Sequence, residues 1–187
     1  EGACLVFGAG ADYYRKNGLG RMIDLQEALE ILKAADEAGL VLQPSNAQEI
    51  VNICCCCGCC CQVLKSLKRY PKPASLFSTP FIAELDRETC EGCGTWIDRC
   101  QLVAVRMDDD SALLDLDHCI GCGLCVTTCP SDSLTLARKP DAEQAGVPKN
   151  MVDATIQLAK ARGKLSNADL VQMQLKSKMD RLLASRS

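Results

Sequence analysis

Cys119-Ile120-Gly121-Cys122-Gly123-Leu124-Cys125-Val126-Thr127-Thr128-Cys129-Pro130 is the stretch on which the reading of this chain turns. Its spacing, Cys-x2-Cys-x2-Cys-x3-Cys-Pro, is that of a loop that wraps a cubane iron–sulfur cluster. Cys119, Cys122 and Cys125 lie in one tight loop and can reach three irons of a single cluster. Gly121 and Gly123 let the backbone pass close to inorganic sulfides with no side chain in the way. The fourth thiol, Cys129, points away, and in two-cluster proteins it serves the other cluster.

The pattern also occurs 29 residues earlier, but incomplete. Cys90, Cys93 and Cys100 match Cys119, Cys122 and Cys129, whereas Trp96 stands where Cys125 would and Gln101 replaces the proline. Crossing the fourth cysteines predicts one complete site, a [4Fe-4S] cluster on Cys100, Cys119, Cys122 and Cys125. The other site is left with Cys90, Cys93 and Cys129, because indole cannot ligate iron. It is expected to hold a [3Fe-4S] cluster, or an incompletely ligated [4Fe-4S] cluster with one iron on Asp98, water or a substrate. Loss of the cluster, with Trp96 filling the space, is the alternative. Short apolar stretches follow each motif, Ala104–Met107 and Ser133–Leu136, and Asp108–Asp110 turns the chain into Ala112–Leu116. These elements predict an α+β fold in which residues 86–137 form a ferredoxin-like, pseudo-twofold iron–sulfur domain, two short helices against small antiparallel ribbons.

A saturated cubane only gains and loses an electron, at a potential set by hydrogen bonds, charge and exposure. Asp108, Asp109, Asp110, Asp115 and Asp117 are expected to lower that potential and to help dock a partner; a solvated hairpin face accounts for the same residues. His118, the one histidine, is expected to hydrogen-bond or face solvent rather than ligate.

Upstream, Cys54–Cys61 packs seven thiols into eight residues. Adjacent side chains diverge, so one cluster cannot use them all, whereas Cys54, Cys57 and Cys60 are spaced to converge. So much soft sulfur excludes magnesium and calcium and selects iron–sulfur, zinc or copper(I). A further iron–sulfur cluster is the expectation; a zinc knot or copper–thiolate site is the alternative. Before the run, Asp24 with Glu27 is a capping box, and Leu25, Ala28, Leu29, Leu32 and Ala35 share a helical face. Gly39 closes that helix, Leu40–Leu42 reads as a short strand, and Pro44–Asn46 as a turn. Gly8-Ala9-Gly10 lacks the third glycine of a nucleotide loop and is expected to be an ordinary turn. Cys4 is expected to be a small buried hydrophobe, with an extra ligand the alternative.

Glu27-Ala28-Leu29 through Ala38-Gly39-Leu40-Val41, then Asn46 and Ile53-Cys54, resembles a group of 4Fe-4S dicluster-domain proteins. In that group an Ile-Cys-Asn-Cys-Cys-x-x-Cys-Cys signature precedes the ferredoxin domain. The resemblance covers about residues 20–140 and implies Cys54, Cys56, Cys57, Cys60 and Cys61 as ligands. Cys55 stands where the group has asparagine, so it and Cys59 look like additions. Members often carry a further helical region upstream, and the start at Glu1 fits a fragment or a processed product.

The division expected is a helical scaffold with the cysteine run over 1–70, a linker over 71–85 marked by Pro71, Pro73 and Pro80, the two-motif domain over 86–137, and a linker with C-terminal helices over 138–187. Within the last part Met151–Arg162 is amphipathic, and Ser166 with Asp169 caps a helix running to about Ala184. The 187 residues include 15 cysteines, an odd and clustered set, which favours metal sites and a reducing, cytoplasmic setting over disulfides. No run of 18 apolar residues suggests a membrane span. A net charge of −3 with 4% aromatics gives no footprint for nucleic acid. The function expected is electron transfer, with a redox partner protein or as a subunit of a larger oxidoreductase. No catalytic constellation is visible. The alternatives are an iron–sulfur or thiol redox sensor, and an enzyme built on an unusual cluster at Cys54–Cys61.

Overall fold

The computed structural model describes residues 3–144 and 146–184. Strands and helices are both present, in a mixed α and β architecture. Contacts divide the chain into two units, Glu1–Ser45 with Ile50–Val147, and Asn46–Glu49 with Pro148–Ser187.

The first unit opens with strand β1 (Ala3–Val6) and helix α1 (Gly8–Lys16), where the glycines suggest a turn. Gly10 permits the close approach of α1 to β1, since a Cβ there would lie 2.9 Å from Val6 Cγ1. Helix α2 (Leu25–Glu37) begins where the capping box places it, with Asp24 Oδ1 accepting from Glu27 N at 2.8 Å. Its inward stripe is Ala28, Ile31, Leu32 and Ala35; Leu25 and Leu29, expected on that face, are exposed. Gly39 ends the helix in the left-handed region, φ +73°. Strands β2 (Val41–Pro44) and β3 (Asn52–Cys56) follow, and the antiparallel order is β1–β3–β2. The first half of the cysteine run is therefore a central strand, with Cys54 opposite Cys4 on one side and Gln43 on the other. Period-two alternation sends Cys54 and Cys56 to one face and Cys55 to the other. Helix α3 (Gln62–Leu67) follows the run.

Strand β4 (Phe81–Leu85) corrects the assignment of those residues to a linker: it pairs along its whole length with β7 (Leu134–Arg138). Proline and polar residues before it mask a strand whose partner lies some 50 residues downstream. Strands β5 (Val105–Asp108) and β6 (Ser111–Leu114) form a hairpin. The two short helices expected in this domain are single turns, held by bonds such as Ile97 N to Gly94 O (3.0 Å) and Val126 N to Gly123 O (2.9 Å).

The repeat seen in the cysteines extends to the backbone. Gly92 and Gly121 have φ of +60° and +63°, Gly94 and Gly123 +71° and +80°, and Val103 and Asp132 +57° and +52°. A Cβ on Gly92 would run into Asp110 O, and one on Gly121 into Phe81 O, residues that are themselves counterparts in the repeat. Asp115 N donates to Ala104 O at 2.7 Å as Asp86 N does to Ser133 O at 2.8 Å. One buried cluster contains Ala83, Trp96, Ala104, Val105, Ala112 and Leu134 together with Cys119, Cys125 and Cys129. A second joins Val41, Leu64 and Leu67 to Leu102, Ile120 and Leu124, with Cys56 and Cys61 packed on it.

In the other unit, helix α4 (Met151–Ala161) is capped by Asn150, whose Oδ1 accepts from Val152 N and Asp153 N. Helix α5 (Asn167–Ala184) opens with the expected box: Ser166 Oγ accepts from Asp169 N at 3.2 Å, and Asp169 Oδ2 from Ser166 N at 2.8 Å. No helix among the described residues is long and apolar enough to cross a membrane.

Candidate iron–sulfur sites

Cys100, Cys119, Cys122 and Cys125 line one pocket, closed by Ala83, Ala104, Val105, Ile120 and Leu124. Three of these thiols come from the Cys119–Cys125 loop, and Cys100 arrives from the first motif, as the crossed pattern requires. Burial pushes the Cys125 thiol up to about 12, and Cys122, Cys100 and Cys119 push it the same way. Cys122 keeps an exposed edge, yet desolvation of its thiol, with Cys100 and Cys119 nearby, holds it up to about 11. Four thiols gathered in an apolar pocket, two of them, Cys122 and Cys125, held protonated by burial, are suited to a positively charged metal core, which would take up four thiolates at once. Ala104 N donates to Cys100 Sγ at 3.1 Å, the kind of bond that holds a thiolate ligand in place. The residues present fit a [4Fe-4S] cluster. His118 also lines this pocket, with its Nδ1 2.9 Å from Asp115 Oδ2. Asp115 also takes Arg106 at 2.7 Å, and its backbone oxygen takes Cys119 N at 3.0 Å.

Residues 112–135 match the 4Fe-4S binding domain family. The match takes in Cys119, Cys122, Cys125 and Cys129, and it makes this segment an iron–sulfur, metal-binding unit with a general role in electron transfer. It does not reach the Cys90 motif or the cysteine run. The chain has no match among curated proteins.

Around Cys129 the electrostatics are different. Burial pushes its thiol up, but the Ser133 hydroxyl, the backbone N–H of Leu134 and the hydroxyl and N–H of Ser131 outweigh this and lower it. Ser133, itself buried, sits 3.2 Å from Cys129 Sγ, with Ser131 Oγ 3.3 Å further on. Cys90 is lowered by the N–H groups of Ala112 and Gly92 and, more weakly, by Ser111 and the same Ser133. Cys90 and Cys129 therefore converge on one hydroxyl. Cys93 is exposed, 3.3 Å from Thr95 Oγ1. Trp96 is 1% exposed within the cluster that holds Cys129. Neither serine stands out in the cysteine spacing, yet aligning the repeats exposes both, since Ser133 and Ser131 replace Ala104 and Leu102.

The run itself divides. Cys57 and Cys59 form a disulfide, with Cys60 Sγ 3.3 Å from Cys57 Sγ. Cys54 does not join Cys57 and Cys60, although the spacing suggests convergence; it lies 3.7 Å from Cys4, across the β1–β3 pair. Cys4, expected to be buried, is exposed. Cys56 and Cys61 pack on the same apolar cluster, where burial above all, with Cys61 beside it, pushes the Cys56 thiol up to about 12, and Cys55 is 1% exposed on the opposite face. No local signal could reveal the role of Cys4, whose partner is fifty residues away.

Proposed function

We propose that this chain is an electron-transfer iron–sulfur protein built around a ferredoxin-like, pseudo-twofold domain, working with a redox partner protein or as the electron-carrying subunit of a larger oxidoreductase. The observation that carries the reading is the pocket in which Cys100 joins Cys119, Cys122 and Cys125. A [4Fe-4S] cluster bound there supplies one-electron redox chemistry. The chain's own residues do the rest: four cysteines hold it, Ala83, Ala104, Val105 and Leu124 exclude water, and Ala104 N orients Cys100.

Cys90, Cys93 and Cys129 hold a second cluster, a [3Fe-4S] or an incompletely ligated [4Fe-4S], and residues within Cys54–Cys61 hold a further one. The 29-residue repeat of φ values and contacts supports the pseudo-twofold description. The chain acts in the cytoplasm and does not bind nucleic acid. The test is anaerobic iron and sulfide quantitation with EPR of oxidised and reduced protein. A [4Fe-4S] signal on reduction that Cys100→Ala abolishes is expected. Fewer than four irons per chain would overturn the assignment.

A second reading has an observation of its own. The Cys57–Cys59 disulfide beside the Cys60 thiol suits a thiol redox sensor. Disulfide reduction that changes partner binding, with cluster potentials unmoved, would favour it.

A further inference from the structure

The disulfide of the cysteine run lies against the pocket of Cys100, Cys119, Cys122 and Cys125. Cys57 and Cys59 enclose Gly58 in the disulfide ring, and the Gly58 N–H donates to Gln101 Oε1 at 2.7 Å. Gln101 is bonded to Cys100 and lines the pocket with it. The two backbones are close as well, since a Cβ on Gly58 would stand 3.1 Å from Gln101 O. Ile120 and Leu124, which also line the pocket, belong to the apolar cluster on which Cys56 and Cys61 pack at either end of the disulfide loop.

Cys100 and the disulfide are thus joined by covalent bonds and one short hydrogen bond. Electrons cross such a path more readily than a gap of the same length. The other side of the ring faces outward: Cys59 and Cys60 are exposed, with Cys60 Sγ 3.3 Å from Cys57 Sγ. Lys68 Nζ lies 2.7 Å from where a Gly58 Cβ would stand and puts positive charge beside the ring. A bridge between residues only two apart restrains almost nothing in the unfolded chain. Exposed and of little use as a staple, it has the character of a redox-active disulfide.

We propose that the Cys57–Cys59 disulfide is the electron acceptor of the Cys100 site, with Gln101 as the bridge between them. The disulfide takes two electrons, one after the other, and two protons from solvent. Its S–S bond breaks and two thiols result, while two equivalents of a reduced one-electron carrier are oxidised. One-electron input becomes two-electron thiol chemistry within one chain. This rests on the reading of Cys100, Cys119, Cys122 and Cys125 as a [4Fe-4S] site, and it keeps Cys57 and Cys59 out of any further cluster.

The full chain, purified anaerobically without added thiol, is titrated with photoreduced deazaflavin, a one-electron donor. EPR follows the cluster, and differential alkylation with peptide mass spectrometry follows the disulfide, in the wild type, Cys125→Ser, Gln101→Leu and Gln101→Glu. In the wild type Cys57 and Cys59 should become alkylatable as the donor is consumed. Cys125→Ser, which lacks a ligand of the site, should keep the disulfide closed. Gln101→Leu should keep the [4Fe-4S] signal and open the disulfide several-fold more slowly, whereas Gln101→Glu, still able to accept from Gly58 N, should open it near the wild-type rate. Purified protein without the Cys57–Cys59 disulfide, a disulfide that stays closed while the wild-type cluster is reduced, equal opening in Cys125→Ser or Gln101→Leu, or Gln101→Glu as slow as Gln101→Leu would each overturn the proposal. Wild-type protein with no [4Fe-4S] signal would refute the reading beneath it instead.

Discussion

The side chain of Gln101 takes the backbone N–H of Gly58 at 2.7 Å and donates to Gly39 O at 3.0 Å. It follows Cys100 directly and stands where the second motif has Pro130. One amide thus ties the loop of the cysteine run and the end of α2 to a residue of the [4Fe-4S] pocket. Proline there could offer neither bond. Gln101→Ala leaves two part-buried backbone groups without this partner and should cost about 1–3 kcal/mol. Urea unfolding of the anaerobic protein measures it. An unchanged midpoint would show that water replaces the amide at no cost.

The paired glycines make a sharper contrast. Gly121→Ala puts a methyl group into Phe81 O, and Gly92→Ala puts one into Asp110 O, both from left-handed backbone. Neither carbonyl can step aside without shifting its own backbone. Each change should cost at least about 2 kcal/mol. Gly123→Ala meets only Leu136 Cδ2 at 3.6 Å and should cost about 1 kcal/mol, the backbone strain alone. Thermal unfolding of the three variants should rank them so, with Gly121→Ala also lowering bound iron.

Trp96 occupies the position of a missing ligand and is buried. Trp96→Cys should raise iron by about one per chain and replace a [3Fe-4S] signal in the oxidised protein with a [4Fe-4S] signal on reduction. Trp96→Ala removes the same bulk without a thiol and should cost about 3–5 kcal/mol with no gain of iron. If Trp96→Cys leaves iron and EPR unchanged, Trp96 has closed a site that no longer holds a cluster.

Ser133 marks a difference between the surroundings of Cys129 and those of Cys100. Its hydroxyl lies against Cys129 Sγ, while the counterpart at Cys100 is Ala104, which offers only its N–H. Hydrogen bonds to sulfur stabilise the more negative, reduced state. On the proposed function, Ser133→Ala should therefore lower the potential of a centre held by Cys90, Cys93 and Cys129 by on the order of tens of millivolts and leave the Cys119 centre alone. Potentiometric titration followed by EPR reads both in one sample. Equal shifts in the two centres would contradict the assignment.

What is legible in the sequence is whatever a dozen consecutive residues can encode. The Cys119–Pro130 loop, the capping boxes at Asp24 and Ser166, and the 29-residue repeat are short-range patterns, because loop ligands and helix starts are satisfied by near neighbours. Alignment of the repeat with itself is enough to single out Trp96 as the residue that replaces a ligand. The pairing of Cys4 with Cys54, the bonds of Gln101 to Gly58 and Gly39, the meeting of Cys90 and Cys129 at Ser133, and the strand at Phe81–Leu85 are decided only by tertiary structure. Each depends on which strands pair and in what register, and register follows from how the whole unit buries its apolar faces. Spacing groups the cysteines; the fold decides which of them meet.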